Sequence, residues 1–548
     1  MKVLTLAVGF AYTALAGSQA VLDDLEQRAL AALHDLQRVT GKPEIESQRQ
    51  IILHKLEASL GLEHASEMTA LTAFIYAPAR LDAPAPAIVL MFPHSDPRQG
   101  ESRALAATLA HLGFIVLTLD FRADHGRLDL IPLGVTPEGL MQHGVRAGLQ
   151  HLLSRNDVDR RRLGLVGYGV AGTVAAALNP QFSIAVLLHG STEMKDVIHS
   201  MRSLTGSDLP DTCDLLPGLL RYAVTEDLVA AVAPRPVLIT TSAPITLDYA
   251  SSIYALFGAS DKFELREGDL TDTQFRRDIC RWIGRWLDVR VNLESSSDID
   301  ETGAAEAVEL PVQSPGLDKK EPKRQLTEAE LVRLLGRALP KAQISYGLQP
   351  TPMQHVELLT EPDFRVPATV FRPGPDGAGP ERGDLIALAD DGRQQLVTDE
   401  IVQEAVRRGW IVWAVDPRGL GELKVSQGFA FGVSLLLGEN FVWRQASDIH
   451  RIAESVRSGS FNHRVRIYAR GKDATLAAAY VGATTETDEI EQILLRDPLS
   501  SFSAAQNLPP YLLAFDALYT FDVPDLLAAG RSRIAVIARP EDLLRIDW

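Results

Sequence analysis

Two short segments of this 548-residue chain have the form that presents a nucleophile: Gly167-Tyr168-Gly169-Val170-Ala171-Gly172 and Ala469-Arg470-Gly471-Lys472-Asp473-Ala474. Each follows an apolar run, at 163–166 and 465–468, and opens a helix-forming stretch, at 173–178 and 475–480. A strand–turn–helix corner of this kind lifts its apex side chain above a sheet, where a serine hydroxyl can attack a carbonyl carbon. In both segments the apex is glycine, Gly169 and Gly471, so neither corner supplies an attacking atom. Triads built on such corners run nucleophile, acid, histidine along the chain. The first base should fall between the strand at 236–241 and the helix at 275–287, but no histidine lies between His199 and His355. The second should follow the strand at 534–538, and no histidine follows His463. Nucleophile and base are both missing twice.

Other side chains could line the same crevices. Pro93-His94-Ser95 follows an early strand, and His94 is the best candidate for an unconventional site. Adjacent residues usually point apart, so turn architecture is the plainer reading of His94 and Ser95. Tyr168 and His189 in the first half, and Arg470 and Lys472 in the second, are the remaining candidate crevice residues. Glu193 is read, with His189, as a polar strand end. No Cys/His cluster has metal-ligand spacing, so neither a metal nor a cofactor is expected. Cys213 and Cys280 are read as two separate buried thiols.

The elements that must hold these residues are strands at 72–76, 87–92, 115–119, 163–166, 184–188 and 237–240, then at 368–371, 385–389, 411–415, 465–468 and 534–538. Continuous Val/Ile/Leu runs separated by helical stretches indicate parallel sheets covered on both faces. The halves match at an offset of roughly 300 residues. Gly113-Phe114-Ile115-Val116-Leu117-Thr118-Leu119-Asp120-Phe121-Arg122 aligns with Gly409-Trp410-Ile411-Val412-Trp413-Ala414-Val415-Asp416-Pro417-Arg418, and Asp227-Leu228-Val229-Ala230-Ala231 with Asp525-Leu526-Leu527-Ala528-Ala529. Two related domains in tandem account for this.

Residues 1–20 read as a signal peptide: Lys2, an apolar stretch, then Ser18-Gln19-Ala20, with cleavage after Ala20 and export to the periplasm or beyond. Without cleavage the segment is an apolar helix of a cytoplasmic protein. It is too short for a transmembrane span. Residues 21–70 read as a helical extension on the first domain, 71–290 as that domain, and 326–548 as the second. Between them, 291–325 is acidic, lacks basic residues as far as Asp318, and reads as a flexible linker. A capping box at Thr327-Glu328-Ala329-Glu330 opens the second domain. The net charge of −17 argues against nucleic acid as a partner.

These motifs resemble the dienelactone-hydrolase-like acetyl xylan esterases of the α/β-hydrolase fold. Pro93-His94-Ser95, Asp120-Phe121-Arg122-Ala123, the glycine elbow and Ala233-Pro234-Arg235-Pro236 stand where that family has its Gly-His-Ser turn, Asp-x-Arg-Gly strand end, serine elbow and Ala-Pro-Arg-Pro strand entry. Asp416-Pro417-Arg418-Gly419-Leu420-Gly421-Glu422 keeps the second of these closely. The resemblance implies an α/β fold: two α/β-hydrolase-like domains, each a mostly parallel doubly wound sheet, the second lacking its C-terminal elements. It also implies an acid near Ser242-Ala243-Pro244, where Asp248 is the nearest carboxylate, and a histidine near 268–272, where Asp269 and Asp272 stand instead. The leading expectation is a catalytically inactive exported protein that binds a small molecule, a carbohydrate or a partner protein, as a monomer or homo-oligomer. The alternatives are a carbohydrate esterase with a nonstandard site, and an assembly protein.

Overall fold

The computed structural model describes residues 2–36, 41–62, 65–123, 126–190, 193–242, 245–291, 293, 305–315, 329–331, 351–374, 381–459, 464–484, 490–530 and 533–537. The apolar runs become strands buried on both faces. In order they are β1 (Ala65–Tyr76), β2 (Ala85–Met91), β3 (Ile115–Leu119), β4 (Val158–Tyr168), β5 (Ile184–Leu188), β6 (Val237–Thr241), β7 (Phe263–Glu267) and β8 (Glu306–Pro315). A second set follows: β9 (Met353–Glu361), β10 (Phe364–Phe371), β11 (Gly383–Ala389), β12 (Trp410–Val415), β13 (Val465–Arg470), β14 (Gln492–Arg496) and β15 (Ile534–Ile537).

The first sheet has the order β7-β6-β5-β4-β2-β3-β1-β8 and the second β15-β14-β13-β11-β12-β10-β9. Both run parallel from β2 or β11 outward through the elbow strand, and both end in an antiparallel pair on the other side. Each is an α/β-hydrolase sheet. Among the described residues β7 has no counterpart in the second sheet. Cys213 and Cys280 are separate buried thiols.

Four strands escaped the sequence reading: β7, β8, β9 and β14. The most consequential is β8, because it lies inside the expected acidic linker, of which 292, 294–304 and 316–325 fall outside the described residues. Residues 306–315 pair with β1 over its length and form the edge of the first sheet. Their charges hide a period of two: Leu310 and Val312 are buried while Glu309 and Pro311 face out. The outermost strand of the first domain is therefore supplied by chain that follows the domain. The capping-box residues Thr327 and Glu328 lie outside the described residues.

The N-terminal extension also differs from expectation. Its helices are α1 (Lys2–His34), continuous through Ala20, and α2 (Lys42–Ser59), and β1 begins inside the span read as helical. α1 grips both domains rather than the first alone. Val21, Leu25 and Ala29 are fully buried. Ser18 Oγ donates to the Lys424 carbonyl at 2.7 Å, and Arg418 of the second domain pairs with Asp24 at 2.9 Å. From the first domain, Arg202 pairs with Asp23 at 2.6 Å and with Glu26. One apolar cluster runs unbroken from Val21 and Leu25 through Val170 and Leu219 to Phe431, Leu436 and Leu512.

The domains meet reciprocally. The turn Leu128–Leu133, after β3, packs on Phe502–Asn507 and Ala517–Tyr519, after β14. Conversely the helix Gln427–Leu437, after β12, packs on the segment after β5, where the Gly218 N–H donates to the Leu435 carbonyl at 2.8 Å. Since β3 matches β12 and β5 matches β14, this is the exchange of contacts found at an isologous dimer interface. The carboxyl ends of the two sheets face each other across it.

Candidate functional site

The first elbow has the expected shape. A Cβ at Gly167 would overlap Gly172 Cα, so strand and helix approach as closely as only glycine allows. Gly169 has φ of 66° and opens the helix Gly169–Leu178. A Cβ placed on it would meet only Asp214 Oδ1, at 3.7 Å. The apex thus has room for a side chain, but the chemistry around it is occupied. In this geometry the N–H of the residue after the nucleophile stabilises the oxyanion. Here that group is Val170 N–H, and it donates to Asp214. Burial raises the Asp214 carboxyl to about 6, with the charge of Asp211 adding to the effect.

Around Asp214 the turn Thr212–Asp214 brings further polar groups to the elbow. His94 Nε2 lies 3.0 Å from Asp211 Oδ2, and this hydrogen bond holds the imidazole pKa above its usual value against the effect of burial. Burial pushes the Asp211 carboxyl up, but hydrogen bonds from His94 and from the Cys213 N–H, the latter at 3.0 Å, leave it below the ordinary value. Beneath them lies Glu138, fully buried, whose pKa burial raises well above the carboxylate range. On the other side the Tyr168 ring sits 5.2 Å from the His189 ring, and His189 Nε2 is 3.5 Å from Asp269 Oδ2. Asp269 stands where the resemblance places a histidine, and its partner His189 follows β5 rather than β6, where the acid is expected. Tyr168 packs on His189 and His94 pairs with Asp211, while Ser95 is exposed in a turn closed by its own N–H to the Phe92 carbonyl at 3.3 Å.

The second elbow is closed more completely. Gly471, with φ of 99°, has no room for a side chain, because a Cβ there would overlap the carboxylate of Asp390. Asp390 accepts the N–H groups of Lys472, Asp473 and Ala474, the last at 2.9 Å, and so takes every donor at the start of the helix Lys472–Thr484. Burial raises the Asp390 carboxyl, and burial together with Asp390 raises that of Asp473 to about 6. Tyr511 donates its hydroxyl to Asp473. Of the two expected crevice residues, Arg470 is held by Asp399 at 2.9 Å and Asp391 at 3.2 Å, while the Lys472 side chain is exposed.

The sequence reading missed Asp211, Asp214 and Asp390. Asp390 and Asp391 directly after β11 were the legible signal, since two carboxylates there replace the turn that His94 and Ser95 occupy in the first half. The second-domain Asp-x-Arg motif is structural: Asp416 pairs with Arg393 at 2.6 Å and Arg418 with Asp448 at 2.8 Å, all four buried. Asp248 begins the helix Asp248–Leu256, and Ala243 and Pro244 lie outside the described residues.

Where the facing sheet ends meet, a cavity of about 430 Å³ opens between the domains. It is lined by Ser59, Arg221, Phe431, Asn440, Tyr511 and Phe515, among others. Among the described residues no carboxylate pairs with the Arg221 guanidinium, which lies against Gly438.

No family model matches this chain. "Putative hydrolase YtaP" of Bacillus subtilis (strain 168) is 23% identical over 254 residues, covering 39% of this chain and 83% of the relative. Among solved structures, "Methylesterase BT1017" aligns with a TM-score of 0.37 at 16% identity, over 51% of this chain and 71% of its own. An acetyl xylan esterase, titled putative, from Bacteroides fragilis NCTC 9343 aligns with a TM-score of 0.36 at 14% identity, over 44% and 82%.

Proposed function

We propose, from the premise that both halves are α/β-hydrolase folds, that this chain performs no serine-type acyl transfer and instead binds a small acidic ligand between its domains. The observation that carries the first part is the occupation of both oxyanion positions by carboxylates. A tetrahedral intermediate needs Val170 N–H, or Lys472 N–H, aimed at developing negative charge. Asp214 and Asp390 take these donors and place their own negative charge there. Restoring a hydroxyl at either apex leaves that repulsion in place.

The second part rests on the interdomain cavity. Its volume lies in the range of small-molecule sites, and its lining combines Phe431, Phe441, Tyr511 and Phe515 with Arg221, Asn440 and the carboxylates Glu439 and Asp516. The uncompensated Arg221 guanidinium suits a planar carboxylate, which it can hold bidentately. Phe431, Tyr511 and Phe515 offer faces for a sugar-sized body, so a uronic acid is the probe of choice. The relatives' names point to esterases and hydrolases, and a protein keeping their scaffold for recognition is consistent with the lost apexes. Export through residues 1–20 belongs to the same proposal. Among the described side chains of α1, full burial begins at Val21, and cleavage after Ala20 would remove the hydrogen bonds of Ser18 to Lys424 and of Gln19 to Asp23.

The test joins two measurements on the purified full chain. Hydrolysis of p-nitrophenyl acetate and acetylated xylan is expected at background level for wild type. Calorimetric titration with glucuronate is expected to show binding that Arg221→Ala abolishes and that glucose does not reproduce. Robust ester turnover overturns the first part; absence of glucuronate binding, or binding unchanged in Arg221→Ala, overturns the second.

A further inference from the structure

The elbow of the first domain gathers residue types that its proposed loss of acyl transfer leaves unexplained. His94 comes from the turn after β2, and Asp211 and Cys213 from the segment after β5. Their ligand atoms, one imidazole nitrogen, one carboxylate oxygen and one thiol sulfur, all lie within 4.8 Å of one another. Nothing in the linear spacing announces this, since His94 is more than a hundred residues from the others. We propose that His94, Asp211 and Cys213 form a binding site for a divalent transition metal of the zinc class.

The donor set selects the ion. Imidazole, carboxylate and thiolate together suit borderline metals such as Zn²⁺ or Co²⁺, whereas Ca²⁺ and Mg²⁺ require oxygen ligands. A hydrogen-bonded histidine–carboxylate pair beside a buried thiol also places the donors before the metal arrives, which limits the ordering cost. A second observation points to missing positive charge at the same place. Glu138 is fully buried, and among the described residues its Oε2 has no hydrogen-bond partner; its Oε1 accepts from Gln142 Nε2 at 2.6 Å. Thr212 Oγ1, between the two ligand residues, is likewise buried without a partner. A buried carboxyl group in this state stays protonated unless it is paired or coordinated to a metal. One His, three carboxylates and a thiol converge here, with no Lys or Arg ion-paired to Asp211, Asp214 or Glu138 among the described residues.

Binding would release the Cys213 proton to solvent, leaving sulfur as thiolate on the metal, and would displace the proton between His94 Nε2 and Asp211 to His94 Nδ1 or to solvent. Three protein ligands leave one position of a tetrahedral ion open, on the side of the crevice where His94 is exposed. Water or an external anion fills that position. The site is independent of the interdomain cavity and of the ligand proposed there, so failure of one leaves the other standing.

Cobalt(II) titration of the full chain, after dialysis against a chelator, tests this directly. The expected result is one equivalent bound, with visible d–d bands and a near-ultraviolet thiolate-to-cobalt band, displaced by Zn²⁺ and not by excess Mg²⁺ or Ca²⁺. Cys213→Ser should abolish the thiolate band, and Cys280→Ser should leave it intact. Asp211→Asn and His94→Gln should each weaken binding by more than the 10–100-fold typical of groups that only orient ligands. These two variants carry the test if circular dichroism shows Cys213→Ser to be unfolded. No thiolate–cobalt absorption in wild type overturns the proposal, as does absorption that survives in Cys213→Ser or affinities unchanged in Asp211→Asn and His94→Gln.

Discussion

Asp473→Asn should make this protein more stable at neutral pH, and the gain should vanish in acid. Asp473 sits behind Asp390 at the closed second elbow, where burial and that neighbour raise its carboxyl from 3.8 to about 6. The folded state therefore binds the Asp473 proton more tightly than the unfolded chain does. Stability from this group is fully present below about pH 4, falls as pH rises toward 6, and is constant above. A shift of about two units corresponds to a ceiling of about 3 kcal/mol lost at pH 7. Asparagine is uncharged and keeps an oxygen to accept from Tyr511, but its amide brings donors that a buried site satisfies incompletely, costing about 1–2 kcal/mol. The net expectation is a gain of about 1–2 kcal/mol at pH 7 and a loss of similar size at pH 4. Urea unfolding across pH 4–8 reads this as a crossing of the wild-type and variant curves. Trp410, Trp413 and Trp443 report on the second domain. A variant less stable than wild type at pH 7, or a difference that does not change with pH, would refute the electrostatic account of the second elbow.

The two apexes should respond differently to the same substitution. Gly169→Ser has space and carries only the strain of a positive φ, about 1–3 kcal/mol, whereas Gly471→Ser must displace the Asp390 carboxylate and should lose considerably more; thermal unfolding of the pair compares them directly. Gly169→Ser should also remain at background in ester hydrolysis, and turnover comparable to a working esterase would show that Asp214 does not block the oxyanion position. Arg418→Ala leaves Asp448 buried without its bidentate partner and cuts the tie to Asp24 of α1, so a loss of about 3–5 kcal/mol and faster proteolysis within α1 are expected. Leu310→Ala, at a fully buried position of β8, should cost about 2–5 kcal/mol by denaturant titration, whereas a flexible linker would register no change.

Much of this molecule is legible in its sequence. The repeated apolar runs, the glycine corners and the missing histidines are local facts, and a parallel strand covered on both faces must be written as a continuous apolar run. The same locality explains why both apex losses could be read without coordinates: a glycine carries no nucleophile in any fold. β8 was not legible, because its net acidity outweighed an alternation that acquires meaning only when β1 offers an unpaired edge. Nor could the sequence place α1, whose charged face finds Arg202 on one domain and Arg418 on the other. What tertiary structure alone decided is the occupation of the elbows: Asp214 and Asp390 reach Val170 and Lys472 from distant segments. It alone brings His94 to Asp211 and Cys213. Chemistry of that kind depends on distances of a few ångströms between residues far apart in the chain, and such distances are set by how the sheets and their loops close, which no spacing along the chain records.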